Sequence, residues 1–495
     1  MRKILLVVLM LAVVVGTQYM IHQQQADVVI THERLAGNPV DRYAAVGQPQ
    51  GTVLVAHGFA GSKGLMQYWG LALARQGFDT YLFDQPGHGE QGQPLPEWRS
   101  LADNPLGKNL QAMIAELTTS GRAEAGRIAL VGHSMGGATV IAAGMEPNPA
   151  IQATIAISAA YSDPLPPDLP TNLLSLVAER DPASIRAAAV ALEPQSETRK
   201  TVDVPTKNHL TILYDPAVFD EAIAWIHKAL GTKPVAATPV APWPWILAAL
   251  LGGLGTVLAI AALLAPPESR AKGGRSPSLG FLTGLVALSV AALSAVLAAV
   301  YLRTPWLGVA VQDYLLPYFG VMAAVLWLLR YLWPRDFAFP LTQGGDQIGG
   351  AVLRGLGVTL AYLGAVVPVI HTNLTHHMPN GERVIPLLAS ALVLWLYFVQ
   401  EEGLKRAVVN SRGHLAGLVL GLVSKLVVIG TWLGATALPN PPIFLTLTIP
   451  ITLVVLVVLE VIAAVMGALR FSSAASATVN AMVLAWSISV TFPLQ

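Results

Sequence analysis

Apolar residues are distributed unevenly along the chain. Residues 26–238 alternate short apolar stretches with polar ones, whereas residues 239–495 consist mostly of long apolar runs. A helix needs about 20 apolar residues to cross a bilayer, and about eight runs in the second half approach that length. The predicted spans are Trp245–Leu264, Leu279–Leu302, Gln312–Leu332, Ala351–Ile370, Val384–Val399, Leu415–Ala437, Ile443–Leu469 and Ala474–Phe492.

The N-terminus carries a further apolar run. Arg2 and Lys3 precede an unbroken apolar stretch from Ile4 to Val15. A charged start followed by an apolar region is typical of a secretory signal or of an uncleaved anchor. Because no small-residue cleavage site follows, we predict a signal-anchor helix over residues 1–25. In both cases the next segment lies on the far side of the membrane.

The basic residues near the predicted spans favour one topology. Cytoplasmic loops of membrane proteins are enriched in Lys and Arg. With the N-terminus in the cytoplasm, ten basic residues fall inside and two outside. This pattern predicts nine spans, an extracytoplasmic segment at residues 26–232 and an extracytoplasmic C-terminus. The ten are Arg270, Lys272, Arg275, Arg330, Arg335, Arg354, Lys405, Arg406, Arg412 and Arg470, and the two are Arg303 and Arg383.

Lys425 and Glu460 are ionisable residues inside predicted spans. Lys425 lies in the middle of one span, and Glu460 lies in the inner part of the next. Charged groups are costly in lipid, so we expect the two to form an ion pair between adjacent helices, with a structural role rather than transport. His371, His376 and His377 share a predicted external loop. Neighbouring histidines can bind a metal, but these are expected to be solvated loop residues.

Composition narrows the classes of function. Hydrophobic residues make up 54% of the 495 residues and charged residues 12%, about half the usual charged share. The net charge of +1 gives no indication of a nucleic-acid partner. The chain has no cysteine, which excludes disulfides, thiolate ligands and a cysteine nucleophile. No cofactor or metal is expected. A proline-rich linker at 233–244 separates residues 26–232 from a transmembrane domain at 245–495.

Residues 26–231 predict an α/β fold with a mainly parallel sheet, because strand-like and helix-like patterns alternate. Within them, Gly132-His-Ser134-Met-Gly136 follows an apolar run and precedes a run of small residues. This is a strand, a sharp turn and a helix, with the serine at the apex. Such a turn strains the serine backbone and leaves no space for side chains two residues away. It predicts acyl transfer through Ser134, although an ordinary glycine-rich turn has the same composition.

Further motifs occur in a defined order around this turn. His57-Gly-Phe59 follows one predicted strand, Asp84-Gln-Pro-Gly-His-Gly89 follows the next, and an acid and a histidine come after the turn. With these motifs the segment resembles the α/β-hydrolase superfamily, of the lipase, esterase and serine-peptidase kind. The resemblance implies a doubly wound, mostly parallel sheet. It covers residues 26–231 and does not extend to the apolar half.

The resemblance also implies roles for five residues. Ser134 would be the nucleophile and His209 the general base, with Asp181 orienting the imidazole. The backbone N–H groups of Phe59 and Met135 would form the oxyanion hole.

Alternatives remain for the acid and the base. Glu179 and Asp163 also lie near predicted strand ends and could serve as the acid. Among the histidines of the segment, only His209 follows the last strand. The competing histidines are His57, His88, His133 and His227.

The loop between Ser158 and Leu173 is short and rich in proline. Many α/β hydrolases carry a cap at this point, so the segment resembles the capless members. We expect a site that is open to solvent or covered by the membrane half. The predicted function is a membrane-anchored serine hydrolase that cleaves a carboxylic ester, and a lipid ester would suit the arrangement. An acyltransferase, or a ligand-binding domain on a transporter or sensor, is the alternative.

Overall fold

A computed structural model of the chain forms two compact units. The α/β unit comprises Gln18–Ile246, Ile370–His376 and Pro493–Gln495, and the helical unit comprises Met1–Thr17, Leu247–Val369 and His377–Phe492. Arg270, Lys272, Arg275 and Arg303 lie outside the described residues, as does part of the predicted linker. The structure describes residues 1–166, 168–190, 197–237, 242–267, 278–302, 307–337, 339–342, 347–438 and 443–495.

The α/β unit is built on one eight-stranded sheet with the strand order β1-β2-β4-β3-β5-β6-β7-β8. The pairs β1–β2 and β2–β4 are antiparallel and the others are parallel. The predicted doubly wound, mostly parallel fold class is therefore confirmed. The strands are β1 (Ile30–Leu35), β2 (Asn38–Tyr43), β3 (Gly51–Ala56), β4 (Phe78–Phe83), β5 (Ile128–His133), β6 (Ile151–Ile157), β7 (Leu173–Ala178) and β8 (Arg199–Val204).

Helices connect and cover these strands. Val53, Leu54 and Val55 of β3 are completely buried, as expected for a central parallel strand with helices on both faces. Two helices begin with a capping side chain followed by proline: Asn104 caps one and Asp215 the other. The chain begins with α1 (Arg2–Gln23), and the following helices are α2 (Gln67–Arg75), α3 (Pro105–Thr119), α4 (Met135–Met145), α5 (Ala183–Val190) and α6 (Pro216–Leu230).

Two segments from far along the chain belong to the α/β unit. The backbone N–H of His376 donates to the Ser62 hydroxyl at 2.8 Å, just after the loop that follows β3. Leu494 donates to the carbonyl of Gly87 at 2.9 Å and accepts from the N–H of Leu95 at 2.8 Å. Residues 370–376 and the C-terminal tail therefore hold the loops that follow β3 and β4.

The three neighbouring histidines do not form a solvated loop. His371 lies in a helix, with its ring centroid 4.8 Å from that of His376. His377 is buried, so the expectation of a solvated residue is wrong there. Among the described residues, no group of three or more histidine, cysteine, aspartate or glutamate side chains is placed to hold a metal ion.

The helical unit contains long apolar helices. In the described part of the chain, nine helices are long and apolar enough to cross a membrane, α1 included. The chain thus has the helix lengths and composition of an integral membrane protein. The helices after α6 are α7 (Trp243–Leu264), α8 (Phe281–Tyr301), α9 (Gln312–Leu332), α10 (Pro334–Phe337), α11 (Ile348–Ala365), α12 (Val367–Asn373), α13 (Val384–Arg412), α14 (His414–Ala435), α15 (Ile443–Ala468) and α16 (Ser473–Thr491).

In this unit, small residues lie where helices pack closely, and several large apolar residues are exposed. Helices α11 and α16 approach closely, because a Cβ on Gly355 would lie 2.6 Å from the carbonyl oxygen of Ala475. Leu282, Leu293 and Leu388 are instead more than half exposed. Small residues let membrane helices approach, while exposed leucines suit contact with lipid. The unit therefore has the packing pattern of a membrane domain.

Helix α13 is longer than the predicted span at Val384–Val399. It continues to Arg412, so Lys405 and Arg406 lie within a helix instead of a loop. Lys405 is only 5% exposed. The predicted span is too short because charged residues follow Val399, whereas Glu401, Glu402 and Lys405 are buried in ion pairs inside the unit.

A buried ion-pair network joins α13, α14 and α15. The Nζ atom of Lys405 lies 2.5 Å from Glu402 and 2.6 Å from Glu460. Lys425 pairs with Glu401 and lies 3.8 Å from Glu460. The predicted Lys425–Glu460 contact is thus the longer one, and Lys405 is the closer partner of Glu460. Each lysine therefore compensates buried carboxylates.

The network predicts a large effect of removing one lysine. Lys405→Met should lower the free energy of unfolding by about 3–5 kcal/mol, because Glu402 and Glu460 would keep buried, uncompensated charges. The measurement is the thermal midpoint and folded yield of the full-length protein in detergent. Lys207→Met is the matched control: it removes a half-buried pair with Asp215 and should cost less than about 1 kcal/mol. Equal effects of the two substitutions would contradict this view of the network.

Candidate active site

Ser134 occupies a strained turn between β5 and α4. Its φ of 55° is in the left-handed region, which residues other than glycine rarely adopt. A Cβ on Gly132 would overlap the carbonyl oxygen of Gly136, and one on Gly136 would overlap that of Ala56. The helix can therefore begin directly against the strand ends only with glycine at both positions, as the sequence pattern predicts.

The structure brings Ser134 together with His209 and Asp181. The Ser134 hydroxyl donates to Nε2 of His209 at 2.9 Å, and Nδ1–H of His209 donates to Oδ1 of Asp181 at 2.7 Å. These residues follow β5, β8 and β7, so all three lie beyond the carboxyl edge of the parallel strands. Ligands of open α/β sheets bind at this edge.

The Asp181 carboxylate is held from several sides. Its Oδ2 accepts from the Ser158 hydroxyl at 2.5 Å and from the N–H of Ala178 at 2.8 Å. Burial alone would raise the pKa of Asp181, but the hydrogen bonds from His209 and Ser158 outweigh it and hold that pKa below its ordinary value. The carboxylate therefore stays charged at neutral pH, opposite the imidazole.

The other candidate acids lie elsewhere. The carboxylate of Glu179 accepts from the N–H of Thr206 at 2.6 Å. That of Asp163 accepts from the N–H of Leu101 at 2.5 Å. Of the three carboxylates considered, Asp181 is the one bonded to His209.

The other histidines have separate partners. His227 contacts Thr232 at 2.7 Å, and His88 contacts the carbonyl of Pro86 at 2.9 Å. His57 contacts the carbonyl of Gly58 and accepts from the N–H of Gln85. Burial lowers the pKa of His57, which favours its neutral form. These side chains fix local turns rather than approach the serine.

His133 has a role that sequence reasoning did not identify. Its Nε2–H donates to the backbone carbonyl of His209 at 2.8 Å. Burial, reinforced by the neighbouring His209, lowers the pKa of His133 to about 3. A neutral imidazole thus fixes the backbone of His209. Ser158 was also missed; its place directly after β6, beside the end of β7, is a signal that could have identified it.

The predicted oxyanion donors border the serine. Met135 is the first residue of α4, so its N–H is among the first-turn amides that have no acceptor within the helix. Phe59 follows Gly58, where a Cβ would lie 3.1 Å from the Cβ of Ser134. Both amides therefore belong to backbone next to Ser134, and their role as donors stays a prediction.

The fold and these side chains define the class: the chain contains an α/β-hydrolase domain, followed by a series of apolar helices. Residues 47–212 match the family model described as serine aminopeptidase, S33. That range includes Phe59, Ser134, Met135, Asp181 and His209. The match supports a hydrolase.

Solved structures of other proteins resemble part of this chain. TT1662 from Thermus thermophilus is 20% identical, with a TM-score of 0.31, over 42% of this chain and 99% of that one. A predicted CIB-like hydrolase from Thermoplasma acidophilum is 17% identical, with a TM-score of 0.34, over 41% and 99%. The Pyrococcus furiosus esterase Pf2001 is 16% identical, with a TM-score of 0.33, over 41% and 93%. No curated protein matches the chain.

The buried neutral state of His133 predicts a pH dependence of stability. An unfolded histidine binds a proton below about pH 6.5, whereas the folded one stays neutral down to about pH 3. Stability should therefore fall by about 1.4 kcal/mol per pH unit between these values. His133→Gln should remove this contribution from the slope of unfolding free energy between pH 7 and pH 5.

Ser158→Ala is the control for this measurement in the full-length protein. It removes a hydrogen bond to Asp181 but no group that titrates in this pH range. It should lower stability by similar amounts at both pH values and leave the slope unchanged. A His133→Gln variant with the wild-type slope would contradict the buried, neutral state of His133.

Proposed function

We propose that the chain is a membrane-anchored serine hydrolase that cleaves carboxylic esters, lipid esters included. The observation that carries the proposal is the hydrogen-bonded series Ser134–His209–Asp181 at the carboxyl edge of the sheet. Ser134 is 5% exposed and the His209 side chain 14%. The series is thus shielded from bulk water, which strengthens its electrostatic interactions.

The proposed reaction has two stages. His209 takes the proton of Ser134 as the serine oxygen attacks the ester carbonyl. The N–H groups of Met135 and Phe59 bind the oxygen on which negative charge develops. The imidazolium, stabilised by Asp181, gives its proton to the departing alcohol. Water activated by His209 then cleaves the acyl-enzyme and restores Ser134.

The substrate class follows from what surrounds the serine. Among the described residues between β6 and β7 there is no helix or strand that could form a cap. Segments that follow α11 and α16 instead hold the loops after β3 and β4. A capless site on a membrane-anchored domain suits esters delivered from the bilayer. Esters should therefore be better substrates than aminoacyl amides.

We also propose that the α/β unit lies outside the cytoplasm. The positive-inside rule places its segment there. Residues 370–376 and 493–495 belong to the same unit. In the described part of the chain, four candidate spans separate residues 26–232 from the first of these segments and four more precede the second, so an even number of crossings assigns both segments to the side of residues 26–232. The basic-residue bias and the chain connectivity thus support one arrangement.

The serine mechanism predicts covalent labelling. A fluorophosphonate probe should label the full-length protein at Ser134, and Ser134→Ala should abolish labelling and ester hydrolysis. Asp181→Asn should reduce kcat by about 10⁴-fold, since the imidazole would adopt the wrong tautomer. The assay compares nitrophenyl esters with aminoacyl nitroanilides.

Asp163→Asn is the matched control. It removes a carboxylate of the same domain that does not contact His209, so its kcat should stay within a few-fold of wild type. Absence of labelling would favour a ligand-binding domain without turnover. Equal losses for the two aspartates would refute the assignment of Asp181, and faster cleavage of nitroanilides would refute the ester preference.

The absence of cysteine allows a direct test of sidedness. In intact cells, a membrane-impermeant maleimide should label Asp203→Cys, at an exposed residue of β8, but not Arg335→Cys, at an exposed residue of α10. Permeabilised cells should show labelling of both. The reverse pattern in intact cells would show that the topology is inverted.

A further inference from the structure

The helical unit contains a cavity that the proposed reaction does not use. Its volume is about 230 Å³. The lining comes from Phe339 and Pro340, the end of α13, the start of α14, the end of α15 with the turn after it, and the start of α16. Its polar lining residues are Arg406, Asn410, His414, Arg470 and Ser473. All four helices therefore contribute ends that meet at one level of the unit.

The charge of this cavity is positive. Arg406 and Arg470 line it, and no carboxylate is among its lining residues. The nearest carboxylate to Arg406 is Glu402, at 3.9 Å, and Glu402 is already paired with Lys405 at 2.5 Å. Within the described residues, Arg470 has no ion pair. The two guanidinium groups are thus left largely uncompensated, in contrast to the balanced network beside them.

One of the two arginines at the cavity is held by hydrogen bonds. Arg406 Nη2 donates to the carbonyl of Ser472 at 3.3 Å and to the Ser476 hydroxyl at 2.9 Å, while its Nε is buried without a partner. Arg470, with a φ of 63°, is the left-handed residue of the turn that ends α15, where the N–H of Phe471 donates to the carbonyl of Met466 at 2.9 Å. This turn places the backbone of Arg470 beside the cavity, and its side chain is exposed there.

Two long helices start at the same place. His414 is the first residue of α14 and Ser473 the first of α16. Backbone N–H groups in the first turn of a helix carry partial positive charge. They add to the field of the two arginines. In α16 the N–H groups of Ala474 and Ala475 already donate to the carbonyl of Leu341 and the hydroxyl of Ser472, so the donors for a ligand come chiefly from the two arginines. An anion with several oxygen acceptors would satisfy them.

We propose that this cavity binds the phosphate group of an anionic ligand. Guanidinium groups bind phosphate through paired hydrogen bonds, and the volume admits a phosphate with a few further atoms. Two sources share this chemistry, namely the headgroup of an anionic phospholipid and free phosphate. Basic pockets at the ends of membrane helices suit the first of them.

The test measures binding to the full-length protein in detergent. Thermal midpoints are recorded with sodium phosphate, with sodium chloride at equal ionic strength, and with mixed micelles of phosphatidylglycerol or phosphatidylcholine. Phosphate or phosphatidylglycerol should raise the midpoint of the wild-type protein in a saturable manner. Arg470→Gln should weaken the affinity about tenfold or more, because a charge-assisted hydrogen bond is lost.

Arg335→Gln is the matched control, since it removes an exposed arginine of α10 that does not line the cavity. It should retain wild-type affinity. Arg406→Gln tests the second guanidinium in the same way. If the Arg406→Gln variant does not fold, the affinity of Arg470→Gln alone decides the test. A response to phosphate alone identifies a free anion, and a response to phosphatidylglycerol alone identifies a lipid. No response, or equal losses for Arg470→Gln and Arg335→Gln, would overturn the proposal.

Discussion

The approach of α4 to the carboxyl ends of β3 and β5 determines the geometry of the α/β unit. Backbone atoms of the helix start meet backbone atoms of the strands at Gly132 and Gly136, where a Cβ would overlap a carbonyl oxygen. This contact forces Ser134 to a positive φ and lifts its hydroxyl above the sheet edge. The strain at the serine persists because the surrounding sheet imposes it. Asp181 and His209 reach the hydroxyl because β7 and β8 end at the same edge.

Much of this arrangement could be predicted from the sequence. The order of strand, glycine turn and helix predicted Ser134, and the resemblance to α/β hydrolases implied His209 and favoured Asp181 as the acid. Both follow predicted strands, and parallel strands bring their carboxyl ends together. The contact of His133 with the backbone of His209 could not be predicted in the same way, and for Ser158 the sequence indicates only its place directly after β6. These contacts depend on which side chains meet across neighbouring loops. The sequence likewise does not show which of Asp181 and Glu179, both beyond the end of β7, directs its carboxylate to His209.

The length of α13 shows a different limit of sequence reasoning. Apolar periodicity alone ends the span near Val399, because the next residues are charged. Those charges lie within the helix, where Lys405 contacts carboxylates on α13 and α15. Buried charge is tolerated when it is paired, and that pairing arises only when the helices pack. The next residue of α13, Arg406, lacks an equivalently close partner, so the same helix carries both a compensated network and a positively charged cavity.

The central claim is that Ser134 becomes acylated during turnover. The most direct measurement is mass spectrometry of the full-length protein, quenched within milliseconds of mixing with a nitrophenyl ester and then digested. The account predicts an acyl group on the peptide that contains Ser134, formed in a burst with one equivalent of nitrophenol and lost on further incubation. Ester cleavage without this adduct, or an adduct on another residue that forms and decays at the turnover rate, would contradict the account.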